Sequence, residues 1–125
     1  MISFDGFRPA DGTPIYQQIL TYIKRESVAG TIRDGDELPS RRVLSALLGI
    51  NPNTVQKAFR LLEEEGLIVS HSGAKSCMTL DEEKLCRLRD DLLSEDIRTI
   101  TAALKQMGIS KTEALRLIEQ NWEEA

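Results

Sequence analysis

Three residues, Gly49-Ile50-Asn51, are all that separate two amphipathic helix patterns, and this turn limits the fold more than any other feature of the chain. On its N-terminal side, Ser40 is an N-cap for a short helix from Arg41 to Leu48, with Val43, Leu44, Leu47 and Leu48 as its apolar set. Gly49 ends that helix, because glycine accepts the left-handed conformation at a helix C-terminus. On the other side, Asn51 caps and Pro52 suits the first helical turn, where a missing N–H costs little. This helix is predicted to run from Pro52 to about Glu65 and to stop at Gly66. Two helices joined by so short a glycine-containing turn make a helix-turn-helix.

The second of these helices has two unlike faces. At 100° per residue, Phe59 and Leu62 fall within about 40° of Val55 and Ala58 within about 60°, which gives a buried stripe. Asn53, Gln56, Lys57, Arg60 and Glu64 gather on the opposite side. That face carries amides and cations rather than the Glu/Lys mixture of an ordinary solvated helix.

The flanks complete an architecture. Pro14 opens an earlier helix, in which Ile15, Ile19, Tyr22 and Ile23 recur at helical spacing up to about Ala29, where Gly30 stops it. In the loop TIRDGDELPS, Ile32 and Leu38 are expected to point inward. After Gly66, LIVS and SCMTL read as short strands and HSGA as the turn between them, a β-hairpin. From Asp81, Leu85, Leu88, Leu92, Leu93, Ile97, Ile100, Leu104 and Met107 keep a 3/4 spacing over roughly seven turns. Gly108 breaks that helix. Ser110 caps a shorter one, with Glu113 three residues on as a capping box and Ala114, Leu117, Ile118 and Trp122 on its apolar side. The expected fold is therefore mostly α with a small β-hairpin: a winged helix-turn-helix over residues 1–80, then a two-helix C-terminal dimerisation segment over residues 81–125. A long helix with so narrow a stripe packs along another long helix, and Leu85, Leu88, Leu92, Ile97, Ile100 and Leu104 are the residues that dimerisation would use.

Composition excludes several classes. Hydrophobic residues make up 41% of the chain, enough for a modest core and too many for a disordered one. There is no apolar run near 18 residues, so no membrane partner is expected. The start lacks the basic flank and apolar stretch of a signal peptide, which points to a cytoplasmic protein. Cys77 and Cys86 lack metal-ligand spacing and read as free thiols. His71, the single histidine, falls in the hairpin turn with no acid–base partner at useful spacing. With no phosphate-binding glycine loop and no nucleophile motif, the chain is not read as an enzyme, and no cofactor or metal is expected. The runs Glu63–Glu65 and Asp81–Glu83 read as solvated surface.

The net charge of −4 argues at first against nucleic acid. Its distribution reverses that. Residues 1–80 carry nine Lys/Arg and nine Asp/Glu, so the excess of acid lies wholly in residues 81–125. Between Glu37 and Glu63 there is no acidic residue, while Arg41, Arg42, Lys57 and Arg60 fall in that interval. A locally basic stretch governs phosphate binding more than the global sum does. A helix of this kind enters the major groove of double-stranded DNA with its N-terminal residues toward the base edges. Asn53, Gln56 and Lys57 are the residues such docking presents, and Arg60, a turn later, reaches the backbone. Ser40, Arg41 and Arg42, with the free N–H groups at their helix start, form a phosphate clamp. Asn51 is a cap first and a base contact second, and Thr54 lies to the side, toward its own backbone or a phosphate. The hairpin tip, with Gly73 and Lys75, faces the flanking minor groove.

The stretch GDELPSRRVLSALLGINPNTVQKAFRLLEEEGLI resembles the DNA-binding domain of GntR-type bacterial transcription regulators, and the resemblance covers roughly Pro14 to Leu80. LPSRR, NPNTV and LEEEGLI stand in the family's order and spacing. PIYQQI, NPNTVQKAF and the short tail are similar to the YtrA subfamily. The resemblance implies that Arg42 contacts DNA, that Asn53, Thr54, Gln56 and Lys57 stand in a recognition helix, and that the two-helix tail dimerises. The wing departs from the family's GxGTFV: here it is GAKSCM, with Gly73 kept, Lys75 in place of the second glycine and Cys77 in place of the aromatic. The expected function is a homodimeric repressor on a palindromic operator, with an unidentified small-molecule effector left open. The alternative is a winged-helix module that docks on another protein.

Overall fold

The N-terminal core is built by three helices that each bury one narrow face. In the computed structural model, which describes residues 1–71 and 75–125, these are α1 (Ile15–Ala29), α2 (Arg41–Leu48) and α3 (Pro52–Glu64). Ile19 and Ile23 of α1 meet Val55, Ala58, Phe59 and Leu62 of α3 in one cluster, and all six are at most 1% exposed. The α3 stripe is thus the one expected from its spacing. Burying side chains such as Val, Phe and Leu contributes about 1.5–3 kcal/mol each. A salt bridge from Lys24 Nζ to Glu65 Oε1, at 2.8 Å, ties the second half of α1 to the C-terminal end of α3.

The turn between α2 and α3 is fixed by short bonds. Gly49 has φ 66°, the left-handed region that favours glycine. Its N–H and that of Ile50 both donate to the Ser45 carbonyl. The buried Ser45 hydroxyl donates back to the Ile50 carbonyl at 2.6 Å. Asn51 Oδ1 accepts from the Asn53 N–H at 2.8 Å and so starts α3 where the sequence places it. Helix α2 departs from expectation on its apolar side. Leu44 is fully buried and Leu48 half-buried, but Val43 and Leu47 are 52% and 62% exposed. A two-turn helix offers the core only one of its faces.

The hairpin forms one residue later at its first strand and one earlier at its second. Strand β1 (Glu37–Leu38), assigned to a loop from sequence, joins β2 (Ile68–His71) and β3 (Lys75–Met78) in an antiparallel sheet of order β1-β3-β2. His71 therefore ends a strand, opposite Lys75, rather than sitting in the turn. The HSGA turn, apart from His71, lies outside the described residues, and so does Gly73. Ile32 and Leu38 are buried as expected.

The first 14 residues, which carry no helical or alternating pattern, contribute to the core. Ile2, Phe4 and Phe7 are buried, and the Ile2 N–H donates to the Glu37 carbonyl of β1. Tyr22 stacks on Phe4 at 5.1 Å between ring centroids, meets Phe7 edge-on at 5.5 Å, and donates its hydroxyl to the Ser3 carbonyl at 2.9 Å. Burial raises the pKa of this phenol above its usual value, and the nearby Glu26 and Asp5 carboxylates push the same way. The fold thus favours the neutral phenol, and that contribution is lost only as alkaline pH rises through the raised folded value.

The chain divides into two compact units, Met1–Arg89 and Asp90–Ala125. The first includes the start of α4 (Glu82–Gln106), where Asp81 Oδ1 caps the Lys84 N–H at 2.8 Å. Leu85 and Leu88, read from spacing as dimerisation residues, pack here within the chain against the core. The second unit holds the rest of α4 and α5 (Lys111–Asn121). Ser110 caps α5 by accepting from the Glu113 N–H, while the Glu113 carboxylate pairs with Arg116 rather than completing the expected capping box. Leu92, Leu104, Ala114 and Leu117 are half-buried, whereas Leu93, Ile97, Ile100, Met107, Leu115 and Ile118 are exposed. Trp122 lies beyond α5 in a short 3-10 turn and is also exposed. Between α4 and α5 of this unit runs a groove of about 410 Å³, lined by Ile97, Ile100, Leu104, Ile109, Leu115 and Ile118. No helix among the described residues is long and apolar enough to cross a membrane.

Candidate nucleic-acid interface

With its apolar stripe committed to the core, α3 turns Asn53, Gln56, Lys57, Arg60 and Glu64 outward, and all five are exposed. The structure thus keeps together the polar residues that the helical spacing grouped. Thr54 is half-buried beside them, and its N–H donates to the Asn51 carbonyl. Asn51 spends its side-chain oxygen on the cap. Arg60 lies 3.9 Å from Glu64, one turn on, with both side chains more than half exposed, an arrangement of little energetic weight.

The three acidic residues at the end of α3 are exposed, and each has a partner. Glu65 bridges to Lys24, Glu64 faces Arg60, and Glu63 accepts from the Ser70 hydroxyl of β2. Glu63 and Glu65 thus tie the end of α3 away from Asn53 to β2 and α1, while Glu64 pairs within the helix, and the first two turns carry cation and amide without carboxylate.

At the start of α2, Ser40 Oγ accepts from the Val43 N–H at 3.2 Å. The first helical backbone bond runs from the Leu44 N–H to the Ser40 carbonyl, so the N–H groups of Arg41 and Arg42 lie ahead of the ladder, available to an anion. The two arginines take different places. Arg42 is exposed. Arg41 is half-buried, with its guanidinium carbon 5.3 Å from the centroid of the Phe59 ring, and its Nε is buried with no hydrogen-bond partner. Lys75 is exposed at the start of β3.

One contact of this surface was not anticipated from sequence. The ammonium of Lys57 sits 4.1 Å from the centroid of the Tyr16 ring, at the head of α1. The available signal is weak: Tyr16 is an aromatic residue that stands beside the Ile15, Ile19, Tyr22, Ile23 stripe rather than in it.

This arrangement is a capped helix whose exposed face carries amides and a cation, preceded by a helix start with arginines and free N–H groups. It suits hydrogen bonding to base edges and phosphates. The family described as "Bacterial regulatory proteins, gntR family" matches residues 15–75. The chain is similar to the HTH-type transcriptional repressor YtrA of Bacillus subtilis, at 38% identity over 98 residues, 74% of this chain and 73% of that one. Among solved structures, a GntR family transcriptional regulator from Listeria monocytogenes superposes with a TM-score of 0.78 at 32% identity, covering 90% of this chain and 98% of the other. YtrA from Sulfolobus acidocaldarius, a GntR-family transcription factor, gives a TM-score of 0.55 at 29% identity, covering 99% and 98%. These are transcription regulators, not enzymes. The chain belongs to the GntR family of bacterial transcription regulators, is YtrA-like within it, and carries that family's DNA-binding winged helix-turn-helix.

Proposed function

We propose that the protein is a cytoplasmic repressor that binds a palindromic operator as a homodimer. The observation that carries the reading is the exposed Asn53, Gln56 and Lys57 face on a helix anchored by a fully buried stripe. In this reading α3 enters the major groove. Asn53 and Gln56 pair with adenine edges and Lys57 with guanine or phosphate. Arg42, Ser40 and the N–H groups at the start of α2 hold the phosphate backbone, with Arg60 and Thr54 beside them and Lys75 on the flank. Arg41 supports this surface through its stack on Phe59.

Dimerisation is supported by apolar surface. Leu93, Ile97, Ile100, Leu115 and Ile118 are each between 43% and 59% exposed in a unit of 36 residues. A second copy of the same surface, related by a two-fold axis, would cover it. Of the stripe expected from spacing, Leu92, Ile97, Ile100 and Leu104 remain for that contact. Repression is supported by the named role of the Bacillus subtilis relative.

Selection from random duplex DNA tests the reading. The expected product is an inverted repeat with half-sites about one helical turn, roughly 34 Å, apart or a multiple of it. Enrichment of a single unrepeated half-site contradicts the dimer. No enrichment at low salt contradicts sequence-specific DNA binding and favours docking on a protein instead.

A further inference from the structure

We propose that Tyr16 is a positioning residue for DNA recognition: its ring holds the Lys57 ammonium at the place from which it meets the operator. The inference rests on the DNA-binding reading above. Lys57 Nζ lies 4.1 Å from the Tyr16 ring centroid, within the range where an ammonium is attracted to the face of an aromatic ring. The ring itself is held. Tyr16 is half-buried and packed against the core, and its hydroxyl oxygen accepts from Gln17 Nε2 at 3.3 Å. The helices that bear the pair are fixed to each other, since they share the core cluster and are bridged by Lys24 and Glu65 eight residues further along each helix. The ring is thus a rigid support and the lysine an exposed, flexible arm upon it.

An unsupported lysine on this face gives up its rotamer freedom when it binds. A lysine already resting on a ring gives up part of it in the free protein, and affinity gains by that preorganisation. The contact does not consume the donors. An ammonium has three N–H groups, and one approach to the ring face leaves others directed away from it, toward a guanine edge or a phosphate oxygen. Tyr16 belongs to α1, outside the helix-turn-helix, so the recognition surface is completed by a residue 41 positions earlier in the chain.

The test is a double-mutant cycle, read as binding to the duplex recovered by the selection described above. Tyr16→Leu keeps apolar bulk and removes the ring face. It is expected to weaken binding about threefold per subunit, in line with an exposed cation–π contact. Tyr16→Phe keeps the ring and is expected to stay within about twofold of wild type. In a Lys57→Ala background, Tyr16→Leu is expected to change affinity by less than about twofold, because the ring then has nothing to hold. Each variant is compared at equal folded fraction, measured by thermal unfolding. Equal losses from Tyr16→Leu with and without Lys57 overturn the proposal. So does a loss from Tyr16→Phe as large as that from Tyr16→Leu, or tighter binding by Tyr16→Leu. A wild-type protein that selects no duplex refutes the DNA reading itself, an outcome distinct from these.

Discussion

Arg41 and Arg42 show how far apart two neighbouring side chains of one type stand in this surface. Arg42 is exposed, whereas the Arg41 guanidinium lies over the buried Phe59 ring with Nε left unpartnered. Arg42→Ala is therefore expected to weaken binding to every duplex alike. It should also lower the slope of log affinity against log salt by about one per subunit, because one phosphate contact and its released counterions are lost. Titrations at several salt concentrations check this, and an unchanged slope with altered sequence preference contradicts it. The sequence places these arginines together in an acid-free interval but does not separate the exposed one from the half-buried one. Which of two adjacent residues lies against an aromatic ring depends on how α2 is set on α3, and one strand of text does not carry that angle. The Tyr16–Lys57 contact was hidden for the same reason, since the two residues meet only when α1 packs on α3.

At the scale of elements, α3 was the most legible part of the chain. Its cap, its Pro52 start, its stripe and its stop at Gly66 all act within a few residues of each other, and each is present in the structure. Asn51→Ala is expected to lower stability by about 1 kcal/mol through loss of the cap, measured by denaturant titration. If Asn51 is chiefly a cap, base preference is unchanged at equal folded protein. Strand β1 was illegible because two residues hold no period, and its pairing with β3 lies some 40 positions away in sequence. Val43 and Leu47 misled for a different reason: with Leu44 and Leu48 they form a stripe about 140° wide at 100° per residue, yet only its Leu44 and Leu48 edge reaches the core. The N-terminal Ile2, Phe4 and Phe7 gave no local signal, since they are held by contacts with Tyr22 and β1 and not by their own pattern.

For the whole molecule, the long leucine and isoleucine spacing of α4 told of two unlike tasks as if they were one. Leu85 and Leu88 serve the first unit's core, and Ile97 and Ile100 remain exposed in the second. Spacing alone cannot locate that change of partner. Ile100→Asp is expected to yield folded monomers in sedimentation experiments, with operator binding weakened at least tenfold because two half-site contacts are no longer linked. A dimer that survives this charge contradicts the proposed interface.

If the outer face of α3 reads bases, Gln56→Ala alters base preference as well as affinity. Affinity is measured against a set of operators in which each base pair is changed in turn. The expected result is a loss of about 1–3 kcal/mol, with preference relaxed at one position in each half-site and retained elsewhere. Base preference unchanged at every position would contradict it.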